Sequence, residues 1–399
     1  MINANRKIHS IGGGIQWHLT TECPNRCIHC YTYGKSSNED SNLNLSIDEL
    51  TAIYYKLCSF ENQFGFQFNT FNLTGGDPLY NDLAWKICEI LKQDQRSINL
   101  LGIPEEVTTR NITFMKKYEI GYYQVSLDGL PLTHNKIRGP NSFERTIESI
   151  HRLNDNKIGC HIMFTIHNIN LYELASLIRL LYEEDIIAGF SFDFMIGPTN
   201  TTDKNIPRML NREEAINTIK NYHELQKQYN GSSGLRLLDK TMMNEVLSAK
   251  QRGFHESNIY MGGCGTGESF AILANGDVFP CRRLPIKIGN LLQDSVESMY
   301  IKNKLMIKFR TKESWEECKN CKFYYICRGC PAVSYAFTGN PFAPMEYCFL
   351  KEEDVDNKVI DLTEGITQSE RIYNYIKKQD IQTVWDSIKK QDIKRFHSL

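Results

Sequence analysis

The sequence Glu22-Cys-Pro-Asn-Arg-Cys-Ile-His-Cys-Tyr31 places Cys23, Cys27 and Cys30 close together near the start of the chain. Three thiolates at these spacings can ligate three irons of a four-iron cluster, which leaves the fourth iron open to a ligand. Four-cysteine clusters mainly transfer electrons, so an open iron indicates chemistry at the cluster itself. A zinc site completed by His29 or another donor is the alternative for this triplet considered alone.

A second group of cysteines lies far downstream. Its members are Cys264, Cys281, Cys318, Cys321, Cys327, Cys330 and Cys348. Thirteen cysteines in a chain without a secretion signal favour metal ligation or redox chemistry over a disulfide framework. A compact zinc ribbon on the two close cysteine pairs is the alternative here, but it leaves Cys264, Cys281 and Cys348 without a role. The second group is large enough for two clusters.

Composition excludes several classes of protein. The chain has 399 residues and a formal net charge of −1, so nothing indicates the basic surface that nucleic-acid binding requires. No apolar run is long enough for a transmembrane helix, and the first ten residues do not resemble a signal peptide. We therefore expect a cytoplasmic protein that binds neither nucleic acid nor membrane.

Strand and helix patterns alternate in the first half, as a parallel α/β fold requires. The predicted strands are 15–20, 66–74, 98–101, 122–127, 160–166 and 190–196. A capping box at Ser46 opens the first helix, and further helices are predicted over 81–92, 143–153 and 171–184. Six βα units fit before residue 230, and a parallel barrel places its chemistry in the loops after the strands. Three isolated cysteines, Cys58, Cys88 and Cys160, are expected to be small buried apolar side chains.

Four segments follow from these patterns. We predict a partial (β/α)6 barrel over 1–230, a bridge over 231–262 that begins at the hinge-like Gly231-Ser-Ser-Gly234, a cysteine-rich domain over 263–350 and a helical tail over 351–399. The cysteine-rich segment has many turn residues and few periodic runs, which suits a small domain organised by metal.

A glycine-rich turn follows the second predicted strand, as the cysteine triplet follows the first. With these two features the sequence resembles the radical SAM superfamily. The resemblance implies that Cys23, Cys27 and Cys30 ligate a catalytic [4Fe-4S] cluster whose open iron chelates S-adenosylmethionine, and that cleavage of this cofactor releases a 5′-deoxyadenosyl radical. It also implies that the turn formed by Gly75, Gly76, Asp77 and Pro78 meets the methionine amino group. Asp77 stands where the family usually has Glu, and His29 replaces the aromatic residue often found before the third cysteine.

Less specific sequence matches extend the resemblance to the radical SAM superfamily. The sequence Val125-Ser-Leu-Asp-Gly129 ends a predicted strand, and Arg138 follows in the next loop. The resemblance implies that Ser126 and Arg138 hold the carboxylate of the cofactor, a role that the planar Arg fork suits. Thr165, near the end of the fifth strand, is a weaker candidate for a ribose or methionine contact. The alternative is that Ser126 caps a turn and Arg138 is a surface cation.

The second cysteine group resembles the SPASM extension of radical SAM peptide maturases. The resemblance implies that Cys318, Cys321, Cys327 and Cys348 hold one auxiliary cluster, which makes three [4Fe-4S] clusters in all. The other would be held by Cys264, Cys281 and Cys330, with no evident fourth cysteine. Only two residues separate Cys327 from Cys330, where the family usually has three, and this leaves the partition of ligands open.

These features predict an anaerobic radical SAM enzyme that abstracts hydrogen from a ribosomally synthesised peptide and forms a thioether, ether or carbon–carbon cross-link. Formylglycine formation on a sulfatase is one alternative. Arg282 stands where those enzymes have an acidic base, and a guanidinium cannot act as a base near neutral pH. Oxidation of a small molecule, as by haem-pathway decarboxylases, is another alternative. A scaffold that binds zinc or a cluster and has no activity is the third.

Two kinds of partner follow from the peptide hypothesis. A ferredoxin or flavodoxin is the expected reductant, because cluster potentials lie near or below about −400 mV. Only 22 residues precede Cys23, too few for the leader-binding domain that many peptide maturases carry ahead of the barrel. We therefore expect the leader of the precursor peptide to bind a separate protein, the bridge or the tail.

Overall fold

The computed structural model describes residues 9–11, 14–30, 44–80, 82–201, 203, 205–244, 246 and 262–350. The predicted helical tail over 351–399 and much of the predicted bridge lie outside the described residues. The strands are β1 (His9–Ile11), β2 (Ile15–Thr20), β3 (Phe66–Phe68), β4 (Thr70–Gly75), β5 (Ser97–Leu101), β6 (Tyr123–Ser126), β7 (Cys160–Ile166), β8 (Ala188–Phe194), β9 (Leu235–Leu237), β10 (Ala271–Ile272), β11 (Asp277–Phe279) and β12 (Gly289–Asn290).

Helices connect these strands. They are α1 (Ile47–Phe64), α2 (Leu83–Gln93), α3 (Thr109–Lys117), α4 (Pro131–Arg138), α5 (Ser142–Asp155), α6 (Leu174–Glu183), α7 (Arg212–Tyr229), α8 (Val296–Tyr300), α9 (Lys304–Arg310) and α10 (Pro331–Thr338). The predicted capping box is confirmed, because Ser46 Oγ accepts from the N–H of Glu49 and the Glu49 carboxylate accepts from the N–H of Ser46. None of the helices in the described part of the chain is long and apolar enough to cross a membrane.

Ten strands form one sheet in the order β12-β11-β10-β2-β4-β5-β6-β7-β8-β9. Strands β2 and β4 to β8 are parallel neighbours with helices between them, which confirms the six βα units. The short strand β9 adds a seventh parallel member beside β8. The sheet also extends past β2, where β10 pairs parallel to it and β11 and β12 follow antiparallel.

The predicted strand over 66–74 is wrong in one respect, because the structure divides it at Asn69 into β3 and β4. Strand β3 pairs with β1 in a separate two-stranded sheet. Next to this division the Glu61 carboxylate accepts from the N–H of Phe68 at 2.6 Å and also binds Arg96. Because the N–H of Phe68 donates to a side chain, it is not available to a neighbouring strand of the main sheet.

The two faces of the main sheet differ in polarity. Residues on one face are apolar and pack against helices, as Phe192 does against Tyr222 of α7. The other face carries polar side chains that contact one another between neighbouring strands: Asn99 donates to Asn72 at 3.0 Å, and the His161 Nε2 and Ser191 Oγ atoms are 2.9 Å apart. Parallel strands buried between two apolar layers are usually apolar on both faces. The polar face therefore lines an interior space.

Cys88 and Cys160 are buried, as expected. Cys58 is only partly buried, so the expectation of a buried apolar thiol is wrong for this residue. Its sulfur lies 3.9 Å from the Arg96 guanidinium and 4.0 Å from Asp94. Burial still raises the pKa of this thiol.

Candidate active site

The cysteine triplet lies in the loop directly after β2, at the carboxyl end of the parallel strands. All three thiols are half-buried. The N–H of Cys30 donates to the carbonyl of Cys27 at 3.0 Å, and the N–H of Ile28 donates to the carbonyl of Ile137 in α4 at 3.1 Å. The second bond ties the loop to the end of α4, where Arg138 lies.

The glycine-rich turn after β4 packs directly against the start of this loop. The N–H of Gly76 donates to the carbonyl of Thr20 at 2.8 Å, and the N–H of Asp77 donates to the carbonyl of Glu22 at 2.7 Å. A Cβ atom on Gly76 would lie 2.1 Å from the Glu22 carbonyl oxygen, so no larger residue fits. Glycine is therefore required by close approach of two backbones.

The Asp77 carboxylate holds this turn in place from within. The side chain is fully buried, and its two oxygens accept from the N–H groups of Leu79 and Ile103, both at 2.7 Å. Burial raises the pKa of Asp77 to about 7, although both hydrogen bonds oppose that rise. The described contacts thus give the side chain a structural role, and the backbone of the turn remains the part predicted to meet the cofactor.

Asp128 is the centre of a second network beside the triplet. Its side chain is fully buried; Oδ1 accepts from the N–H of Thr165 at 2.7 Å and Oδ2 accepts from Arg138 Nε at 2.5 Å. The neighbouring guanidinium holds the pKa of Asp128 at about 2 despite burial, which acts in the opposite direction. Asn170 supports the same region by donating to the carbonyls of Asp128 and Thr165.

Arg138 connects this network to the triplet. Its Nη1 lies 3.7 Å from the sulfur of Cys27, and its Nη2 lies 3.4 Å from His29 Nε2. Arg138 is not the surface cation of the alternative interpretation, because only 18% of its side chain is exposed. Its role in holding the carboxylate of the cofactor stays a prediction. Ser126 ends β6 and Thr165 lies near the end of β7 on the neighbouring strand, both half-buried.

Three buried histidines surround Asp128. The rings of His29 and His167 lie 5.6 Å apart, and His134 Nδ1 accepts from the N–H of Asp128 at 3.0 Å. Burial lowers the pKa of His29 to about 3 and the pKa values of His134 and His167 to about 4. All three rings are therefore neutral at pH 7. Asp128, His134 and His167 are not among the predicted site residues, and only the nearness of Asp128 to Ser126 in the sequence could have indicated one of them.

Burial favours the protonated form of two thiols in the triplet as long as no metal is bound. Burial raises the pKa of Cys23 to about 11 and raises that of Cys27, although Arg138 opposes the rise at Cys27. Thiols in this state release protons when they ligate metal. Among the described residues, no three His, Cys, Asp or Glu side chains form a group that could hold a single metal ion. A four-iron cluster does not need donors that converge on a single ion, because each thiolate ligates a different iron.

The downstream cysteines separate into two groups in space. Cys318, Cys321, Cys327 and Cys348 interact electrostatically with one another. Cys264, Cys281 and Cys330 form the second group around Arg283. The structure thus brings together the same two sets that the sequence predicted, although Cys327 and Cys330 are only two residues apart. Gly329 allows this separation through its positive φ of 69°.

Arg283 joins the three-thiol group to the barrel. It donates to the carbonyl of Phe194 at the end of β8 at 3.0 Å, and its Nη2 lies 3.6 Å from the sulfur of Cys330. The Asp193 carboxylate lies next to it, with Oδ1 3.7 Å from Arg283 and Oδ2 3.9 Å from Arg282. Asp193 was missed by the sequence analysis, because nothing in its own segment indicates a charged partner.

Comparisons with known proteins agree with this arrangement. The sequence model of the Radical SAM superfamily matches residues 17–181, and that of the SPASM iron–sulfur cluster-binding domain matches residues 264–322. The chain is 25% identical over 350 residues to the AdoMet-dependent heme synthase of Methanosarcina barkeri, which covers 84% of this chain and 96% of that one. It is 27% identical over 177 residues to the Fe-coproporphyrin III synthase of the same organism, which covers 43% and 41% of the two chains.

Solved structures share the fold. The structure of anSMEcpe with bound AdoMet aligns with a TM-score of 0.65 at 18% identity and covers 84% of this chain and 91% of that one. Streptococcus suis SuiB bound to the precursor peptide SuiA aligns with a TM-score of 0.62 at 15% identity and covers 83% and 74% of the two chains. The two domains imply [4Fe-4S] clusters and S-adenosylmethionine. The cysteine loop after β2 lies within the first match, and Cys264, Cys281, Cys318 and Cys321 lie within the second. The chain is therefore a radical SAM enzyme that carries a C-terminal SPASM domain.

Proposed function

We propose that this enzyme abstracts a hydrogen atom from a ribosomally synthesised peptide and forms a thioether, ether or carbon–carbon cross-link within it. The observation that carries the proposal is the position of the three-thiol group. Arg283 contacts both Cys330 and the carbonyl of Phe194, so these thiols lie at the same carboxyl end of the sheet as the cysteine triplet. A peptide in the polar interior would lie between the two sets of thiols.

Residues around the triplet fit the predicted cofactor. When bound, the cluster on Cys23, Cys27 and Cys30 and S-adenosylmethionine supply the electron and the 5′-deoxyadenosyl radical. The turn from Gly75 to Pro78 offers its backbone to the amino group of the cofactor. Arg138, with Ser126, suits the carboxylate, and Asp128 fixes the direction of the guanidinium by binding its Nε. Thr165 lies on the same side of the site, where its backbone N–H donates to Asp128.

The downstream thiols suit two auxiliary clusters, which makes three in the enzyme. Cys318, Cys321, Cys327 and Cys348 supply four ligands to one, and such a closed cluster is suited to electron transfer. Cys264, Cys281 and Cys330 supply three to the other. Its fourth ligand can be a thiolate of the substrate, which would hold a cysteine of the peptide near the radical.

Oxidation of a haem-type small molecule is the second candidate. The specific observation in its favour is that the similarity to AdoMet-dependent heme synthases extends over 84% of this chain and, in the Methanosarcina barkeri relative, over 96% of that chain. The folds of anSMEcpe and SuiB do not decide between the candidates, because identities of 15–18% show the fold alone. Sulfatase maturation is less well supported, because Arg282 occupies the position of the expected base and pairs with Asp193.

A single anaerobic assay tests both candidates. Reconstituted enzyme is incubated with S-adenosylmethionine, a flavodoxin or ferredoxin system, and either cysteine-containing peptides encoded beside its gene or iron-coproporphyrin III. We expect 5′-deoxyadenosine in both arms, and a peptide product lighter by two hydrogens. Loss of carboxyl groups from the porphyrin, with unchanged peptides, would instead establish the second candidate. The Cys23→Ala variant is the control for both arms, and formation of 5′-deoxyadenosine by this variant would contradict the proposed cluster.

The reductant and the cellular location follow from the same proposal. The clusters of such an enzyme are reduced at potentials that a ferredoxin or flavodoxin can supply. A precursor peptide, and a separate protein that binds its leader, are the proposed partners. With these partners, the proposed location of the enzyme is the cytoplasm of an anaerobic cell.

A further inference from the structure

The guanidinium of Arg283 has two neighbours of different kinds. Its Nη1 donates to the carbonyl of Phe194 at the end of β8 at 3.0 Å, and its Nη2 lies 3.6 Å from the sulfur of Cys330. Only 21% of the side chain is exposed. Because the guanidinium is planar and rigid, the bond to the carbonyl also fixes the direction of the second nitrogen. The cation is therefore held beside the thiol and is not a mobile surface charge.

The charge of Arg283 acts on the whole three-thiol group and not on Cys330 alone. Although burial acts in the opposite direction, the pKa of Arg283 is raised by Asp193 and by all three thiols of the group. A guanidinium stays charged at every pH at which a protein remains folded. The positive charge beside these three sulfurs is therefore permanent.

A hydroxyl contacts a second thiol of the same group. The sulfur of Cys264 lies 3.2 Å from Oγ1 of Thr266, a buried side chain. A protonated thiol donates to this oxygen, but a thiolate ligand has no proton to donate, and the hydroxyl can then donate to the sulfur instead. Two of the three sulfurs thus have a side-chain donor within hydrogen-bond reach.

Reduction adds one negative charge to an iron–sulfur cluster. A fixed cation nearby stabilises the reduced form more than the oxidised form, and hydrogen bonds to the sulfurs act in the same direction. We infer that Arg283 raises the reduction potential of the cluster proposed on the three-thiol group, and that Thr266 adds a smaller rise. This inference rests on the proposed function, which supplies the cluster, and goes beyond it by assigning control of the potential to Arg283.

Asp193 distinguishes an effect of charge from a general disturbance. Its Oδ1 lies 3.7 Å from Arg283 and 3.3 Å from the Nζ of Lys240. The carboxylate opposes the charge of the guanidinium, so its loss should raise the potential, whereas loss of the Arg283 charge should lower it. A disturbed contact between the barrel and the SPASM domain would instead move the potential in the same direction in both variants.

Anaerobic potentiometric titration of the reconstituted full chain tests the inference without any substrate. Electron paramagnetic resonance follows each cluster, and the signal of the three-thiol cluster is the one that Cys264→Ala lacks. For this signal we expect Arg283→Gln to favour the oxidised form at least about tenfold, which is about 59 mV for one electron. Thr266→Val should favour the oxidised form about threefold, and Asp193→Asn should favour the reduced form by a similar factor of about three.

Two further variants are controls. Arg283→Lys keeps the charge and should retain more than half of the effect, and Lys302→Gln, an exposed lysine paired with Glu297, should leave the potential unchanged. Each variant must retain the native iron content; where Arg283→Gln loses iron, the direction of the shift in Asp193→Asn decides. An unchanged potential in Arg283→Gln with full iron content, or shifts in the same direction in Arg283→Gln and Asp193→Asn, would overturn the inference. The proposed function fails separately, if Cys264→Ala retains every cluster signal or the native enzyme forms no 5′-deoxyadenosine.

Discussion

Arg138 donates its Nε–H to Asp128 Oδ2 over 2.5 Å, and the same guanidinium lies 3.7 Å from the sulfur of Cys27. One buried carboxylate thus sets the position of the cation next to the cluster loop. The Asp128 carboxylate also accepts from the N–H of Thr165, and the N–H of Asp128 donates to His134 Nδ1. The position of the Arg138 side chain therefore depends on residues from the loop after β6, from α4 and from β7.

Substitution of Asp128 tests this arrangement. We expect Asp128→Asn to raise the KM for S-adenosylmethionine about tenfold or more, because Arg138 loses its charged partner and its fixed direction. Removing one partner of a buried ion pair also costs about 3–5 kcal/mol of stability. Formation of 5′-deoxyadenosine at several cofactor concentrations measures the KM. Asp82→Asn, which breaks the exposed pair with Arg110, is the matched control. A change in kcat alone would show that Asp128 does not act through cofactor binding.

The two downstream thiol groups predict separate losses of iron. We expect Cys318→Ala and Cys264→Ala each to remove about four irons, and the double variant about eight, because the two residues belong to different groups. Cys88→Ala, in the core of α2, should retain the native iron content. Iron and sulfide analysis with electron paramagnetic resonance measures the result. A loss of about four irons in the double variant would mean that the two groups share one cluster.

Gly76→Ala tests the contact between the glycine turn and the cysteine loop. The added Cβ would lie 2.1 Å from the carbonyl oxygen of Glu22, so one of the two segments must move. We expect destabilisation of about 3 kcal/mol or more and loss of cofactor binding. Gly231→Ala is the control, because its Cβ meets nothing within 4 Å and its positive φ costs only about 1–2 kcal/mol. Denaturant unfolding gives the stabilities, and normal cofactor binding by Gly76→Ala would contradict the close approach.

The sequence predicted well those features that lie within one short segment. The cysteine triplet, the Gly75–Asp77 turn and the Ser46 capping box are each encoded by adjacent residues, so their local geometry follows from residue type. The ion pairs around Asp193 could not be predicted in this way. Asp193, Lys240 and Arg282 come from a barrel strand, the loop after β9 and the SPASM domain, and only the register of the sheet brings them together.

Acid should destabilise the fold through buried neutral histidines. His134 is fully buried with a pKa lowered to about 4, and its Nδ1 accepts a hydrogen bond that protonation would prevent. In the unfolded chain this histidine binds a proton near pH 6.5. The stability that the neutral His134 ring contributes to the fold is therefore fully present above that pH and is lost as the pH falls towards 4. The size of the loss is about 3 kcal/mol.

Urea unfolding between pH 7 and pH 5 measures this effect. We expect His134→Asn to retain the hydrogen bond from Asp128, because its carboxamide oxygen can replace Nδ1, while the dependence of stability on pH becomes weaker. A variant with the same slope as the native chain would show that other groups cause the acid sensitivity.

The pairing of β10 with β2 has a consequence for electron transfer. Ala271 and Ile272 form parallel ladder contacts with Gln16 and Trp17, a few residues before the cysteine triplet begins. The segment that leads to Cys281 is therefore joined to the segment that leads to Cys23 by backbone hydrogen bonds and not by a flexible linker. The separation between these two groups of thiols is therefore set by the pairing of strands in one sheet. In the proposed enzyme, where both groups hold clusters, this pairing would set the distance, and with it the rate, of electron tunnelling between them.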